Sequence, residues 1–206
     1  MIADIKFAFH VISHPFDGFW DMKHEKKGKM WVAIVCIILF AIANFISAEF
    51  SSFLFNDTKF KLADILFEFE KVGILLIVVC LANWSVTTLM EGEGTFKDIF
   101  MTFGYACLPV SIITIPATIL TNVASYSEGV YINILNYGAM VWFIALLFFG
   151  LMTVHQYSLG KMVLTTILTI VAAAVIIFVY LLFFSLITRM FTFFATIFKE
   201  LSFRLK

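Results

Sequence analysis

His10, His14 and Asp17 follow one another at single-turn spacing, the arrangement that lets two imidazoles and a carboxylate converge on a metal ion. Pro15 falls inside the set and interrupts the helix that would align them, so packing and titration at a bilayer surface is the favoured reading. His155-Gln156-Tyr157 is a second group of hydrogen-bonding side chains, expected at a membrane interface. No HExxH, no GxSxG and no pair of intramembrane carboxylates occurs, and no nucleophile has a base at a recognisable spacing. Glu49 adjoins an apolar run but sits at its outer end, where water reaches it. Cys36, Cys80 and Cys107 lie inside apolar runs without CxxC spacing and read as small buried side chains, neither disulfide nor zinc ligands. These residues predict no enzyme, no metal and no cofactor.

The elements that must position them are membrane helices. Ile99 to Ser127 contains no charged residue, and similar runs cover Trp31 to Ala48, Val72 to Met90, Gly129 to Val154 and Met162 to Thr188. Each approaches or exceeds the ~20 apolar residues that a helix needs to cross hydrocarbon. Hydrophobic residues make up 62% of the chain, charged residues 14%, and there are 26 phenylalanines, more than a soluble core of 206 residues can hide. Mean hydropathy is +1.02. Lys+Arg and Asp+Glu both number 14, which leaves no global pull toward nucleic acid. The expected fold is an all-α integral membrane protein. It has five spans, about 31–54, 72–90, 99–123, 131–154 and 162–188, with amphipathic interfacial helices at both termini (1–30 and 189–206).

In the leading segment Ile5, Phe9, Ile12, Phe16 and Phe19 recur every three or four positions, predicting one apolar face of a helix lying in the membrane plane. The basic residues follow this stretch, so it does not read as a cleavable signal. A first helix should stop near Ser13 and a second begin at Pro15. Lys23, Lys26, Lys27 and Lys29 stand directly before the first span and should stay cytoplasmic. Counted over the whole chain the charge rule ties. Lys6, Lys23, Lys26, Lys27, Lys29, Lys97 and Lys161 fall inside; Lys59, Lys61, Lys71, Arg189, Lys199, Arg204 and Lys206 fall outside. The cluster beside the first span decides for a cytoplasmic N-terminus. The tail then rests on the outer interface through Phe191, Phe194, Phe198, Leu201 and Leu205. A further interfacial helix is expected within Phe55 to Lys71, leading into the second span.

Glu91-Gly-Glu-Gly94 supplies a turn, after which Thr95 can cap a helix beginning at Phe96, with Asp98 completing the cap. The acids would repel a phosphate, and the strand and lysine of a phosphate loop are missing. The link reads as a capped turn or, alternatively, as an acidic loop that docks a partner. In the third span Pro109 and Pro116 release the carbonyls of Tyr105 and Ile112, predicting two kinks that Ser111 and Thr114 can repair. Asn44, Asn83, Ser85, Thr87, Thr88, Thr102 and Asn136 lie at membrane depth. Such residues chiefly join helices and sometimes line a path.

His14-Pro-Phe-Asp-Gly-Phe19 with the lysine-rich stretch after it, and Gly94-Thr-Phe-Lys-Asp98 leading to Gly104, Tyr105 and Pro109, resemble bacterial members of the Yip family of Ypt/Rab-interacting membrane proteins. The resemblance covers nearly the whole chain in hydropathy and order. It implies five transmembrane helices, a cytosolic N-terminus and no enzymatic activity. Eukaryotic relatives bind Rab-type GTPases and help to shape or traffic membranes; the long cytosolic N-terminal domain of those relatives has no counterpart here, so GTPase binding is not carried over. The expected role is a scaffold or partner-binding subunit of a bacterial plasma membrane, contacting lipids and another membrane protein or a further copy of itself. Lys23, Lys26, Lys27, Lys29, Glu91, Glu93, Lys97 and Asp98 are its candidate contact residues. The alternative is an oligomeric transporter, channel or lipid-handling protein with the third span lining the route. Membrane bending by the Phe-rich terminal segments is a third reading.

Overall fold

A computed structural model describes residues 2–52 and 62–204, and among these all regular structure is helical. The helices are α1 (Ile2–Ser13), α2 (Pro15–His24), α3 (Met30–Phe50), α4 (Leu62–Leu89), α5 (Phe96–Ala106), α6 (Leu108–Thr121), α7 (Gly129–His155) and α8 (Leu159–Arg204). A 3-10 turn, Tyr126–Glu128, precedes α7. Five stretches are long and apolar enough to cross a membrane: Met30–Phe50, Leu66–Leu89, Phe96–Thr121, Gly129–His155 and Leu159–Ile197. The spans expected from hydropathy are therefore present, and the first ends earlier, at Phe50. The interfacial helix expected within Phe55 to Lys71 falls partly on residues 53–61, outside the described set. From Leu62 onward the chain is already α4, running into the second span without a break.

The third span is the hub, with 67% of its most apolar stretch buried, against 6% for the fifth. Helices α5 and α6 pack against α3 and α7, while α8 packs chiefly on α4. Glycine makes the tightest of these crossings. A Cβ on Gly104 would lie 2.7 Å from both Cα and O of Ala33, so only hydrogen lets α5 approach α3 this closely. Beside it the Tyr105 hydroxyl accepts the backbone N–H of Lys29 at 3.0 Å, pinning the start of the first span.

Three expectations are corrected. The third span does not kink at Pro109. It stops at Ala106 and restarts at Leu108, placing Pro109 in the first turn of α6, where its missing N–H costs nothing; Pro116 stays inside α6. The Ser111 hydroxyl does not reach the carbonyl of Tyr105: its Oγ donates to Cys107 O at 3.2 Å. Next, α1 and α2 split the Ile5/Phe9/Ile12/Phe16/Phe19 set, turning Phe19 inward while Ile5, Phe9 and Phe16 stay outward. They fold into a hairpin whose inward residues are Ala8, Val11, Phe19 and Met22, leaving Ile5, Phe9 and Phe16 exposed. Small residues allow this: a Cβ on Gly18 would meet Val11 Cα at 2.7 Å. Finally, no break separates the fifth span from the tail. Helix α8 is 46 residues long, which at 1.5 Å per residue is about 69 Å, more than twice the hydrocarbon thickness.

Candidate functional site

Three helices end together at one end of the bundle. The C-terminus of α2, the α4–α5 link and the C-terminus of α7 with its link to α8 form a polar knot, here called the near end. Lys23, on the last turn of α2, reaches across it. Its Nζ donates to Val154 O at 2.8 Å and pairs with Glu93 Oε2 at 3.1 Å. The lysine side chain is only 13% exposed and Glu93 is 57% exposed, so the carbonyl bond contributes more than the screened ion pair. His155 is 2% exposed, and its Nδ1 accepts the Gly94 N–H at 3.2 Å. Neutral imidazole with its proton on Nε2 satisfies that geometry; Nε2 itself is buried without a partner. The ring stacks on Tyr157 at 5.4 Å. The Tyr157 hydroxyl donates to Met90 O at 3.2 Å, and burial, then the charge of Glu91, push this phenol up, keeping it a donor.

The two glycines of the link serve this contact. A Cβ on Gly94 would lie 2.6 Å from His155 Cε1, and one on Gly92 would lie 2.5 Å from the Tyr157 hydroxyl. Neither glycine has positive φ. Left-handed backbone falls instead on Lys26 (φ 53°), Glu91 (φ 56°) and Gln156 (φ 55°), which are the positive-φ residues among those described. Glu91 and Gln156 close α4 and α7 in the manner of a Schellman cap, through Gly92 N to Thr87 O (2.8 Å) and Tyr157 N to Met152 O (3.0 Å).

Thr95 and Asp98 form the expected capping box: Thr95 N donates to Asp98 Oδ2 at 3.0 Å and Asp98 N to Thr95 Oγ1 at 3.3 Å. Lys27 bridges Asp21 at 2.7 Å and Glu25, and those hydrogen bonds, Asp21 first, push its ammonium up to about 12. Lys29 Nζ reaches Asp4 at 3.4 Å. Of the candidate contact residues, Lys26, Glu91 and Lys97 are exposed at the near end, whereas Lys23 is turned inward and Asp98 is engaged in the cap. Phe96 is half-buried and stands edge-on to Trp84 at 6.2 Å. His14 caps nothing and precedes Pro15 at the hairpin corner, Asp17 is exposed beside it, and Phe16 lies 5.0 Å from the Phe149 ring. Sequence reasoning missed the buried role of His155, the pairing of Lys23 with Val154 and the left-handed Gln156. No local signal carried them, since each depends on a partner at least 60 residues away or on a backbone angle.

A knot of this kind holds elements together; nothing in it pairs a nucleophile with a base. Among the described residues no cluster of three or more His, Cys, Asp or Glu could hold a metal ion. The Yip1 domain model matches residues 9–199. The chain belongs to the Yip family. Yip proteins are membrane proteins not known as enzymes, and this one is an integral membrane protein with several apolar helices. No curated protein and no solved structure matches it.

Proposed function

We propose that the near end is a docking face for a protein partner and that this Yip protein is a non-enzymatic scaffold. The observation that carries this is the set Lys26, Glu91 and Gln156. All three are exposed, polar and left-handed, where glycine would remove a strain of about 1 kcal/mol per residue. Strain kept at several neighbouring positions marks side chains retained for something other than folding. Lys97 and Glu93 extend the same mixed-charge surface. The lysine cluster before α3 supports a cytoplasmic near end, in a bacterial plasma membrane.

The test is the triple variant Lys26→Gly, Glu91→Gly, Gln156→Gly, made in the full chain and purified from native membranes. Its thermal stability in detergent should equal or exceed that of the wild type, while a stoichiometric partner is lost. A partner retained in full by the triple variant overturns the proposal. The second reading, lipid handling, rests on a crevice of about 340 Å³ between α3, α4, the α5–α6 break and α7, lined by Phe40, Leu76, Phe103, Cys107 and Phe143, with Lys71 and Asn44 also in its lining. On that reading Phe143→Trp, which narrows the crevice, slows lipid transfer between vesicles and the triple variant does not.

A further inference from the structure

Helix α4 packs chiefly on α8, α3 and α5, and α7 chiefly on α6, α2 and α5, which leaves a gap between α4 and α7. The crevice of about 340 Å³ lies in this gap. Buried Phe103 and Cys107 of the third span line its floor, and its rims, Leu75 on α4 and Met140 on α7, are exposed. Phe143 closes its inner end, 6.3 Å from the Phe40 ring and 6.4 Å from that of Phe103. Depth follows from helix rise, 1.5 Å per residue. Phe40 is about 15 Å from the start of α3 at Met30, near the middle of a ~30 Å hydrocarbon core. Lys71 is about 27 Å from Leu89, where α4 reaches the near end, and stands directly before the uncharged run that begins at Val72. The crevice therefore runs from mid-bilayer to the opposite interface, with Lys71 at its mouth.

Water is a poor occupant of this space, since an ordered water needs about two to four polar partners. Below Lys71 the polar lining is Asn44, and its Nδ2 already donates to Phe40 O of its own helix at 2.8 Å. What surrounds an apolar slot open sideways at this depth is acyl chain. A slot about one leaflet long, ~15 Å, with charge at headgroup level has the form of a single lipid tail's berth. The charge at the mouth is of both signs. Lys71 Nζ pairs with Glu68 Oε1 at 2.9 Å, and Lys71 and Glu70 are exposed. Two carboxylates and one ammonium leave a net negative charge, which repels a purely anionic headgroup. A headgroup carrying both a phosphate and a primary ammonium finds a partner for each.

We propose that the crevice holds one acyl chain of a phosphatidylethanolamine from the leaflet opposite the near end, its phosphate on Lys71 and its ammonium on Glu68 or Glu70. The lysine ammonium has three N–H donors and gives one to Glu68, so it can bind a phosphate oxygen without breaking that pair. The lipid ammonium donates to a carboxylate beside it. The tail then lies against Leu75, Phe143 and Phe103, replacing contacts that an unfilled slot would forgo. This site rests on the crevice of the lipid-handling reading but not on transfer, because a tail held in place needs no exchange between membranes. It is also separate from the docking face at the near end, and either can fail alone.

The test reconstitutes the full chain in vesicles of phosphatidylethanolamine and phosphatidylglycerol containing a trace of phosphatidylethanolamine with a diazirine near the end of one tail. Illumination should label Phe103, Phe143 and their neighbours at least fivefold more than Val175 and Phe178 on exposed α8. Raising unlabelled phosphatidylethanolamine should cut the crevice labelling at least threefold more than raising phosphatidylglycerol does. Lys71→Met should lower it at least threefold, and Arg189→Met on α8 should not. Labelling no denser in the crevice than on α8 means ordinary surrounding lipid and overturns the proposal, as does equal competition by phosphatidylglycerol. Both of these readings come from the wild type, so they decide the matter even if Lys71→Met fails to fold. Crevice labelling in a chain that moves no lipid between vesicles supports the site and defeats the lipid-handling reading; transfer without crevice labelling does the reverse.

Discussion

At the near end an ammonium, an imidazole and a phenol each bond to an element more than 60 residues away in sequence (Lys23 to Val154, His155 to Gly94, Tyr157 to Met90), whereas along the distal part of α8 the hydroxyls of Thr188, Thr192 and Thr196 return to carbonyls of their own helix at 2.7 to 2.9 Å. Similar polar atoms thus do different work. Bonds between elements fix three helix ends against one another and leave Lys26, Glu91 and Gln156 on a rigid base. Bonds within α8 satisfy its hydroxyls and fix nothing else. The glycines repeat the contrast. Gly92, Gly94 and Gly104 have no room for a methyl group, while Gly138 and Gly160 face open space.

The largest expected effect sharpens that contrast at the helix crossings. Gly104→Ala drives a methyl into the backbone of Ala33, which cannot turn away, so a loss of about 3 kcal/mol is expected, read as a fall in thermal unfolding temperature in detergent. Gly138→Ala on α7 should leave that temperature unchanged or raise it slightly, since nothing lies within 4 Å of the added Cβ. Equal losses in the two variants would erase the distinction. A smaller effect separates two basic residues. Lys23→Met should cost about 1–2 kcal/mol by leaving Val154 O unpaired at the knot, and Arg189→Met on exposed α8 should cost less than about 0.5 kcal/mol.

The smallest effect lies at the far end. Glu128 accepts the backbone N–H and the hydroxyl of Ser125 at 2.8 and 2.9 Å, and these bonds hold its carboxyl below the usual carboxylate range. A lowered folded-state value means that the stabilisation is complete above the ordinary glutamate range and is lost as pH falls through the folded-state value. Acid strong enough to pass below the usual carboxylate range should therefore loosen the start of α7, with faster hydrogen exchange around Glu128 than around Gly94. Exchange that accelerates first at Gly94 would contradict this order.

Much of the scaffold was legible in the chain. Uncharged runs long enough to cross a bilayer, Pro15 at a helix start and the Thr95/Asp98 box are local signals, and each has its physical cause within a few residues. The candidate contact set was legible only in part. Lys26, Glu91 and Lys97 are exposed as a charged face requires, but Lys23 looked the same in sequence and is drawn inward by a carbonyl on α7. The periodicity of Ile5, Phe9, Ile12, Phe16 and Phe19 suggested one outward face, whereas Phe19 is drawn into the core and Ile5, Phe9 and Phe16 stay exposed, because a hydrophobic face reports apolar surroundings and does not distinguish lipid from protein.

The sequence by itself determined that this is a helical membrane protein with five apolar spans, and where most of them begin, because burying an unpaired backbone in lipid costs too much for any other local solution. Only the tertiary structure decided that α1 and α2 fold back on each other as a hairpin, that His155 is closed in by Gly94, and that left-handed strain collects at Lys26, Glu91 and Gln156. These depend on which small residues let helices approach and on which carbonyl a distant side chain finds, and neither is written in the spacing of residues along the chain.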